Sequence, residues 1–126
     1  MPNEQLKSTL KNGSGMERAR AASELGQKHD LRSANVLLEA LDDKNPTVRS
    51  NAAFALGEIG ATAAIPKLIA LLTDDDQWVR KSSAKALGLL KATEAESALR
   101  ETLDDPSEQV QRNVRRSLDQ IRGKIP

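Results

Sequence analysis

The chain has 126 residues, with 19 basic and 18 acidic side chains, a formal net charge of +1, one histidine and no cysteine. The absence of cysteine excludes disulfide bonds and thiolate metal sites, and a single histidine leaves little material for acid–base catalysis. The balanced charge does not suggest nucleic-acid binding, and no apolar run reaches the roughly 20 residues of a membrane span, so we expect a soluble, cytoplasmic protein.

The sequence repeats itself with a period of 31 residues. The pair Val48-Arg49 recurs as Val79-Arg80. The other half of the unit keeps the same register in a series of leucines, which are Leu6, Leu37, Leu68 and Leu99. A fixed period of about 20–50 residues predicts a solenoid of stacked units. We expect a single domain of four repeats, at about 1–29, 30–60, 61–91 and 92–126.

Each repeat is predicted to be a pair of antiparallel helices, because its apolar residues recur at three- and four-residue spacing. The second helices are predicted at about 15–28, 46–59, 77–90 and 107–122. Each of these begins with a residue that favours the helix N-cap, and these are Ser14, Asn45, Asp76 and Ser107. Gly60 suits the left-handed position that ends a helix, and His29, at the same position of its repeat, is predicted to be an exposed turn residue.

Small residues beside the core are predicted to let successive repeats pack closely. Ala53 and Gly57 lie on the flank where the next repeat would sit. In the last repeat these positions hold Arg115 and Asp119, which would be costly to bury. We therefore expect 107–122 to be a C-terminal cap that closes a four-repeat protein.

The repeated motif resembles the HEAT repeats, most closely those called phycobilisome-lyase HEAT-like repeats. The matching stretch is Asp43-x4-Val48-Arg49-x2-Ala52-Ala53-x-Ala55-Leu56-Gly57-x-Ile59-Gly60. The resemblance covers nearly the whole chain and implies an all-α right-handed superhelix, or solenoid, of eight helices in four hairpin repeats. The end repeats depart from the motif, because Asn12 replaces the Asp and Gln111 replaces the Arg.

The same resemblance implies a structural ladder of carboxylate–guanidinium contacts along the inner turns. Its members are Asp43, Arg49, Asp74 and Arg80. A partly exposed rung is expected to contribute only about 0–1 kcal/mol. Binding of an anionic ligand by the two arginines is the alternative.

The resemblance also implies that the second helices line a concave face on which partners bind. The positions opposite the core vary from repeat to repeat, whereas the core positions do not. We call the following set the second-helix stripe: Met16, Arg20, Asn51, Phe54, Glu58, Trp78, Ser82, Lys85, Leu89, Arg112 and Arg116. It contains both aromatic residues of the chain among basic side chains, which is typical of binding surfaces. The alternative is that Phe54 folds down over neighbours such as Asn51 and Thr47, and that Trp78 covers a seam between repeats.

These observations predict a monomeric, non-enzymatic interaction module or scaffold without cofactor or metal. Its partner would be a protein or peptide, with acidic residues and apolar anchors that match the stripe. Two other functions stay open. The resemblance suggests a subunit that handles a bilin on a phycobiliprotein. Basic residues in the last helix, such as Arg112 and Arg122, suggest nucleic-acid binding, but their local charge excess is small.

Overall fold

The computed structural model describes residues 2–126, which form eight α-helices and no β-strand. The helices are α1 (Asn3–Asn12), α2 (Gly15–Gln27), α3 (Ala34–Ala40), α4 (Pro46–Glu58), α5 (Ile65–Ala70), α6 (Gln77–Leu89), α7 (Glu96–Glu101) and α8 (Glu108–Ile121). Short 3-10 turns precede the first helices of repeats two to four and also follow α5 and α7, for example at Thr62–Ala64 and Leu71–Thr73 around α5. The prediction of an all-α right-handed solenoid is confirmed. No helix in residues 2–126 has the length and apolar character needed to cross a bilayer.

The even-numbered helices form the continuous layer of the solenoid. Helix α4 packs on α2, α6 on α4 and α8 on α6, while each odd-numbered helix packs against the helix that follows it. The residues with the strictest 31-residue period are fully buried, and they include Leu6, Leu37, Leu68, Leu99, Val48, Val79 and Val110. The periodic positions of the sequence are therefore the core of the molecule.

The predicted helix starts are confirmed. The Ser14 hydroxyl oxygen accepts a hydrogen bond from the Glu17 N–H, and the Glu17 carboxylate accepts one from the Ser14 N–H, which makes a capping box. The other three N-caps, Asn45, Asp76 and Ser107, each accept from a backbone N–H two or three residues ahead. Because the caps recur once per repeat, they fix where every even-numbered helix begins.

The turns after α2, α4 and α6 share a left-handed residue. Gly60 has φ +77°, and His29 and Lys91 take the same conformation at φ 51° and 50°. His29 is exposed, as predicted, and its Nδ1 lies 3.1 Å from the carbonyl oxygen of Glu58. The histidine therefore joins two neighbouring turns and does not face a cavity.

Three glycines mark the closest approach of successive even-numbered helices. A Cβ atom on Gly57 would lie 2.8 Å from the Cα of Ala86, and one on Gly26 would lie 2.8 Å from the Cα of Ala55. Gly88 meets the backbone of Ser117 at the same distance. Only glycine fits at this contact, which explains why it recurs every 31 residues.

Removing an unpaired buried hydroxyl should stabilise the fold. Within residues 2–126, the buried hydroxyl oxygens of Ser33 and Ser83 have no hydrogen-bond partner. Ser83 lies on α6 where the preceding repeats have Ala21 and Ala52, so the cavity already suits alanine. A buried polar group without a partner costs about 1–3 kcal/mol. We expect Ser83→Ala to raise the free energy of unfolding by about 1 kcal/mol, measured by urea denaturation.

Ser117→Ala is the matched control for this substitution. Ser117 is equally buried, but its hydroxyl donates to the Ala84 carbonyl oxygen at 2.6 Å. Its replacement removes a satisfied hydrogen bond and should lower stability. An equal gain from both substitutions would show that alanine's helix propensity alone accounts for the effect.

Candidate functional site

The inter-repeat ladder consists of three bidentate ion pairs. Arg18 donates to both carboxylate oxygens of Asp43 at 2.8 and 3.0 Å. The second rung joins Arg49 to Asp74, with both distances 3.1 Å, and the third joins Arg80 to Asp105 at 2.7 and 3.2 Å. Each arginine thus reaches an aspartate of the next repeat, and the rungs lock neighbouring repeats together.

Each internal arginine also binds its own repeat. Nη1 of Arg49 donates to the carbonyl oxygen of Asp43 at 2.8 Å, and Arg80 makes the equivalent bond to Asp74 at 2.9 Å. In the last repeat Gln111 donates to the Asp105 carbonyl at 2.6 Å. Glutamine therefore keeps the bond within the repeat. It does not provide the second contact, which each arginine makes with an aspartate 25 residues ahead.

Sequence analysis did not include Arg18 and Asp105 in the ladder. The signal that could have found them is the period itself, because Arg18 lies 31 residues before Arg49 and Asp105 lies 31 residues after Asp74. The rungs are also more buried than expected, with side chains that are 7–18% exposed. Removal of one partner would leave the other charge buried and uncompensated, so breaking a rung is expected to cost more than breaking an exposed pair.

The ladder shifts the ionisation of its carboxylates. The Arg18 guanidinium beside Asp43 holds the pKa of that carboxyl below its ordinary value. Burial alone raises the pKa of Asp105, but hydrogen bonds from Arg80 and from the Ser107 N–H outweigh it and leave the pKa lowered. Glu58 behaves in the opposite way, because burial raises its pKa.

Acid should weaken the solenoid through Asp43 and Asp105. Their folded pKa values lie below the value of about 3.9 for an unfolded aspartate. The stability that they contribute is therefore complete above about pH 4 and is lost as the pH falls through the folded values. We expect the urea midpoint to drop steeply below pH 4. In Asp43→Asn/Asp105→Asn the drop should be shallower, and an unchanged slope would contradict the role of the ladder.

All eleven residues of the second-helix stripe lie on the even-numbered helices, as predicted from their spacing. Four of them are large apolar residues, and three of these are well exposed: Met16 at 73%, Trp78 at 46% and Leu89 at 41%. The fourth, Phe54, is half-buried, and Nζ of Lys85 lies 4.8 Å from its ring centroid. The stripe therefore offers three apolar contact points to solvent.

Two polar residues of the stripe connect neighbouring helices. Nδ2 of Asn51 donates to the Ala19 carbonyl oxygen at 2.8 Å, and the Ser82 hydroxyl lies 2.7 Å from that of Ser50. These contacts tie α4 to α2 and α6 to α4. The exposed cations Arg20, Lys85, Arg112 and Arg116 are the polar residues that face solvent.

The grooves that border the stripe at Arg20 and at Trp78 are open to solvent. A groove of about 620 Å³ lies along the ladder edge between repeats three and four, and its lining includes Ile69, Asp74, Arg80 and Asp105. Among residues 2–126 no group of three or more histidine or acidic side chains is placed to hold a metal ion. The stripe thus presents a surface and not a pocket.

Comparison with known families decides the identity of these repeats. The family model described as HEAT repeats matches residues 3–88 and 65–125. The chain belongs to the HEAT-repeat family. The search of curated proteins found no match.

Solved HEAT-repeat structures show the same architecture. The complex of CpcE and CpcF of phycocyanin lyase from Nostoc sp. PCC7120 has a TM-score of 0.80 and 24% identity, over 96% of this chain and 65% of that one. Human deoxyhypusine hydroxylase in complex with glycerol has a TM-score of 0.79 and 28% identity, over 97% of this chain and 44% of that one. This chain thus spans less than two thirds of each.

These comparisons correct one expectation. Sequence analysis predicted a non-enzymatic protein, but the two similar HEAT-repeat structures are those of a lyase and a hydroxylase. The prediction rested on the scarcity of catalytic side chains in these four repeats. Such scarcity does not exclude catalysis that is performed together with other segments or subunits. The chain is a helical repeat module of a family that includes enzymes.

Proposed function

We propose that this chain is a protein-interaction module whose partner docks on the second-helix stripe. The observation that carries the proposal is the exposure of Trp78, at 46%, on a helix face that makes no contribution to the core. Met16 and Leu89 are exposed on the same set of helices. Large apolar side chains in such positions are the usual anchors of protein interfaces.

The partner is a protein segment that is acidic and carries apolar anchors. Arg20, Lys85, Arg112 and Arg116 are exposed along the stripe, whereas Glu58 is its one acidic member and is half-buried. Oppositely charged surfaces increase the rate and specificity of association. The stacked helices form a rigid surface, so docking requires little rearrangement of the module.

Site-specific crosslinking tests this proposal. A photo-crosslinking amino acid at Leu89 on the stripe should capture a partner from native lysate, and the same group at exposed Ser97 on α7 should not. Adding Trp78→Ala should abolish the capture from position 89 while the helical circular dichroism persists. Equal capture from both positions, or capture that is indifferent to Trp78→Ala, would contradict docking on the stripe.

Handling of a bilin is a second candidate, supported by the similarity to the phycocyanin lyase complex. The aromatic pair Phe54 and Trp78 would supply the contact with a tetrapyrrole. The test is a change in visible absorbance when phycocyanobilin is added, lost in Phe54→Ala/Trp78→Ala. No change at high pigment concentration would exclude this role for the isolated chain.

A further inference from the structure

Four cations lie on the neighbouring helices α6 and α8, three of them exposed and the fourth, Lys81, half-buried. Lys81 and Lys85 lie one turn apart on α6, and Arg112 and Arg116 lie one turn apart on α8. The 31-residue period places each arginine at the repeat position of one lysine, and α8 packs directly on α6. We call these four residues the cation cluster. None of them takes part in an ion pair with any residue of 2–126.

The fold does not require these charges. The same two positions of the first and second repeats hold neutral residues, namely Ala19, Ser23, Ser50 and Phe54. Like charges four residues apart on a helix repel each other and disfavour the helix. The cluster is therefore a local feature of the third and fourth repeats, and the packing of the repeats does not explain it.

Aromatic rings hold the two lysines in place. Nζ of Lys81 lies 5.3 Å from the ring centroid of Trp78, and Nζ of Lys85 lies 4.8 Å from that of Phe54. A ring face attracts an ammonium group without replacing a carboxylate, so the N–H donors stay available. Both lysines are thus positioned without a direct ion pair among residues 2–126, and the one carboxyl on which Lys85 acts electrostatically is that of half-buried Glu58.

Apolar side chains lie at both ends of the lysine pair. Trp78, Lys81, Lys85 and Leu89 follow one another at spacings of three, four and four residues, so they share one face of α6. At 1.5 Å per residue they span about 16 Å. Trp78 and Leu89 are 46% and 41% exposed. This face therefore reads apolar, basic, basic, apolar from one end to the other.

We propose that the cation cluster is the docking subsite for one acidic amphipathic helix of a partner protein. The docked helix carries two carboxylates one turn apart, which contact Lys81 and Lys85 from one side and Arg112 and Arg116 from the other. One turn further out at each end it carries an apolar residue, which contacts Trp78 or Leu89. This inference rests on the proposed function and specifies the order of acidic and apolar residues on the partner's helix.

Two features favour a helix of this kind over other anions. A second helix that packs nearly parallel to α6 repeats its side chains at the same three- and four-residue spacing, so its contacts stay in register. An extended peptide repeats the side chains of one face about every 6.6 Å, so over the length of this face it falls out of register with the helical steps of about 4.5–6 Å. Duplex nucleic acid, whose bases are paired and stacked inside, would leave the exposed Trp78 and Leu89 without apolar partners at the two ends of the cluster.

The test is a titration of the full chain with a synthetic helix in an alanine-rich host, followed by ¹H–¹⁵N NMR. The probe has two glutamates one turn apart, each flanked one turn further out by a leucine. We expect chemical-shift changes centred on α6 and α8. Lys85→Glu/Arg116→Glu should weaken binding at least about tenfold. Lys44→Glu/Arg100→Glu, which changes the net charge equally at exposed positions off the stripe, should not.

Two further probes separate the possible failures. If a helix with glutamine in place of both glutamates binds α6 and α8 equally well, the anion subsite is wrong but docking on the stripe stands. If a duplex DNA of equal charge displaces the acidic helix and binds more tightly, the cluster is a nucleic-acid site and the inference is wrong. Absence of shifts on α6 and α8 with the acidic helix overturns the inference, while the crosslinking experiment still decides the proposed function.

Discussion

Replacing Arg49 by alanine is expected to lower the free energy of unfolding by about 2–3 kcal/mol, since removal of one partner from a buried ion pair costs about 3–5 kcal/mol and this pair keeps some contact with water. The substitution removes both bonds to Asp74 and the bonds to the carbonyl oxygens of Asp43 and Lys44. The Asp74 carboxylate, whose side chain is 11% exposed, would lose its counter-ion. Urea denaturation by circular dichroism measures the loss.

Two variants separate the contributions of the rung. Arg49→Gln copies Gln111 of the last repeat, so it should keep the bond to the Asp43 carbonyl and lose only the contact with Asp74. Its cost should lie between those of the alanine variant and the wild type. Arg100→Ala, at an exposed arginine without an ion pair, should change stability by less than about 0.5 kcal/mol. A loss at Arg49 no larger than this would contradict the structural importance of the ladder.

Replacing Gly57 by alanine is expected to lower the free energy of unfolding by about 1–3 kcal/mol, because overpacking of this size separates two packed backbones. The added methyl group would lie 2.8 Å from the Cα and 2.9 Å from the Cβ of Ala86, so α4 and α6 must move apart. Alanine also gains about 1 kcal/mol of helix propensity over glycine, which opposes the loss. The clash prevails because backbone atoms cannot move aside as a flexible side chain can.

Gly15→Ala is the control for this substitution. A Cβ at Gly15 meets only the amide nitrogen of Asn45, and displacing that side chain would weaken its cap on the Thr47 N–H by about 1 kcal/mol. The gain of about 1 kcal/mol in helix propensity offsets this loss, so we expect little net change in stability. Thermal unfolding followed by circular dichroism distinguishes the two variants. If Gly57→Ala were as stable as Gly15→Ala, the close approach of α4 and α6 would not limit the choice of residue at position 57.

Much of the fold could be predicted from the sequence because the same core, capping and turn residues recur in successive repeats. Val48 and Val79 are buried, Asn45 and Asp76 cap their helices, and Gly60 ends α4, all as their spacing predicts. These features depend on residues close in the chain or on a single stacking rule. In a repeat sequence the local patterns and the stacking positions both occur several times, which makes them easy to recognise.

The contacts between repeats were less predictable. The sequence shows that aspartate and arginine recur together, but it does not show whether Arg49 reaches an aspartate six residues before it or 25 residues after it. Asn51 looks like a free polar residue until α2 brings the Ala19 carbonyl within 2.8 Å. Phe54 is half-buried because a lysine from the following repeat lies over its ring. Such details depend on the separation and rotation of two helices, which spacing alone does not give.

The forward direction of each rung has a consequence for how such a chain can change its length. Every internal repeat accepts a guanidinium from the unit before it and offers one to the unit after it. Duplication or loss of a whole 31-residue block therefore leaves every charge matched. An insertion that separates two stacked units would instead leave one carboxylate and one guanidinium unmatched at the break. Tandem growth by complete units is thus the mutation that electrostatics tolerates best in this architecture.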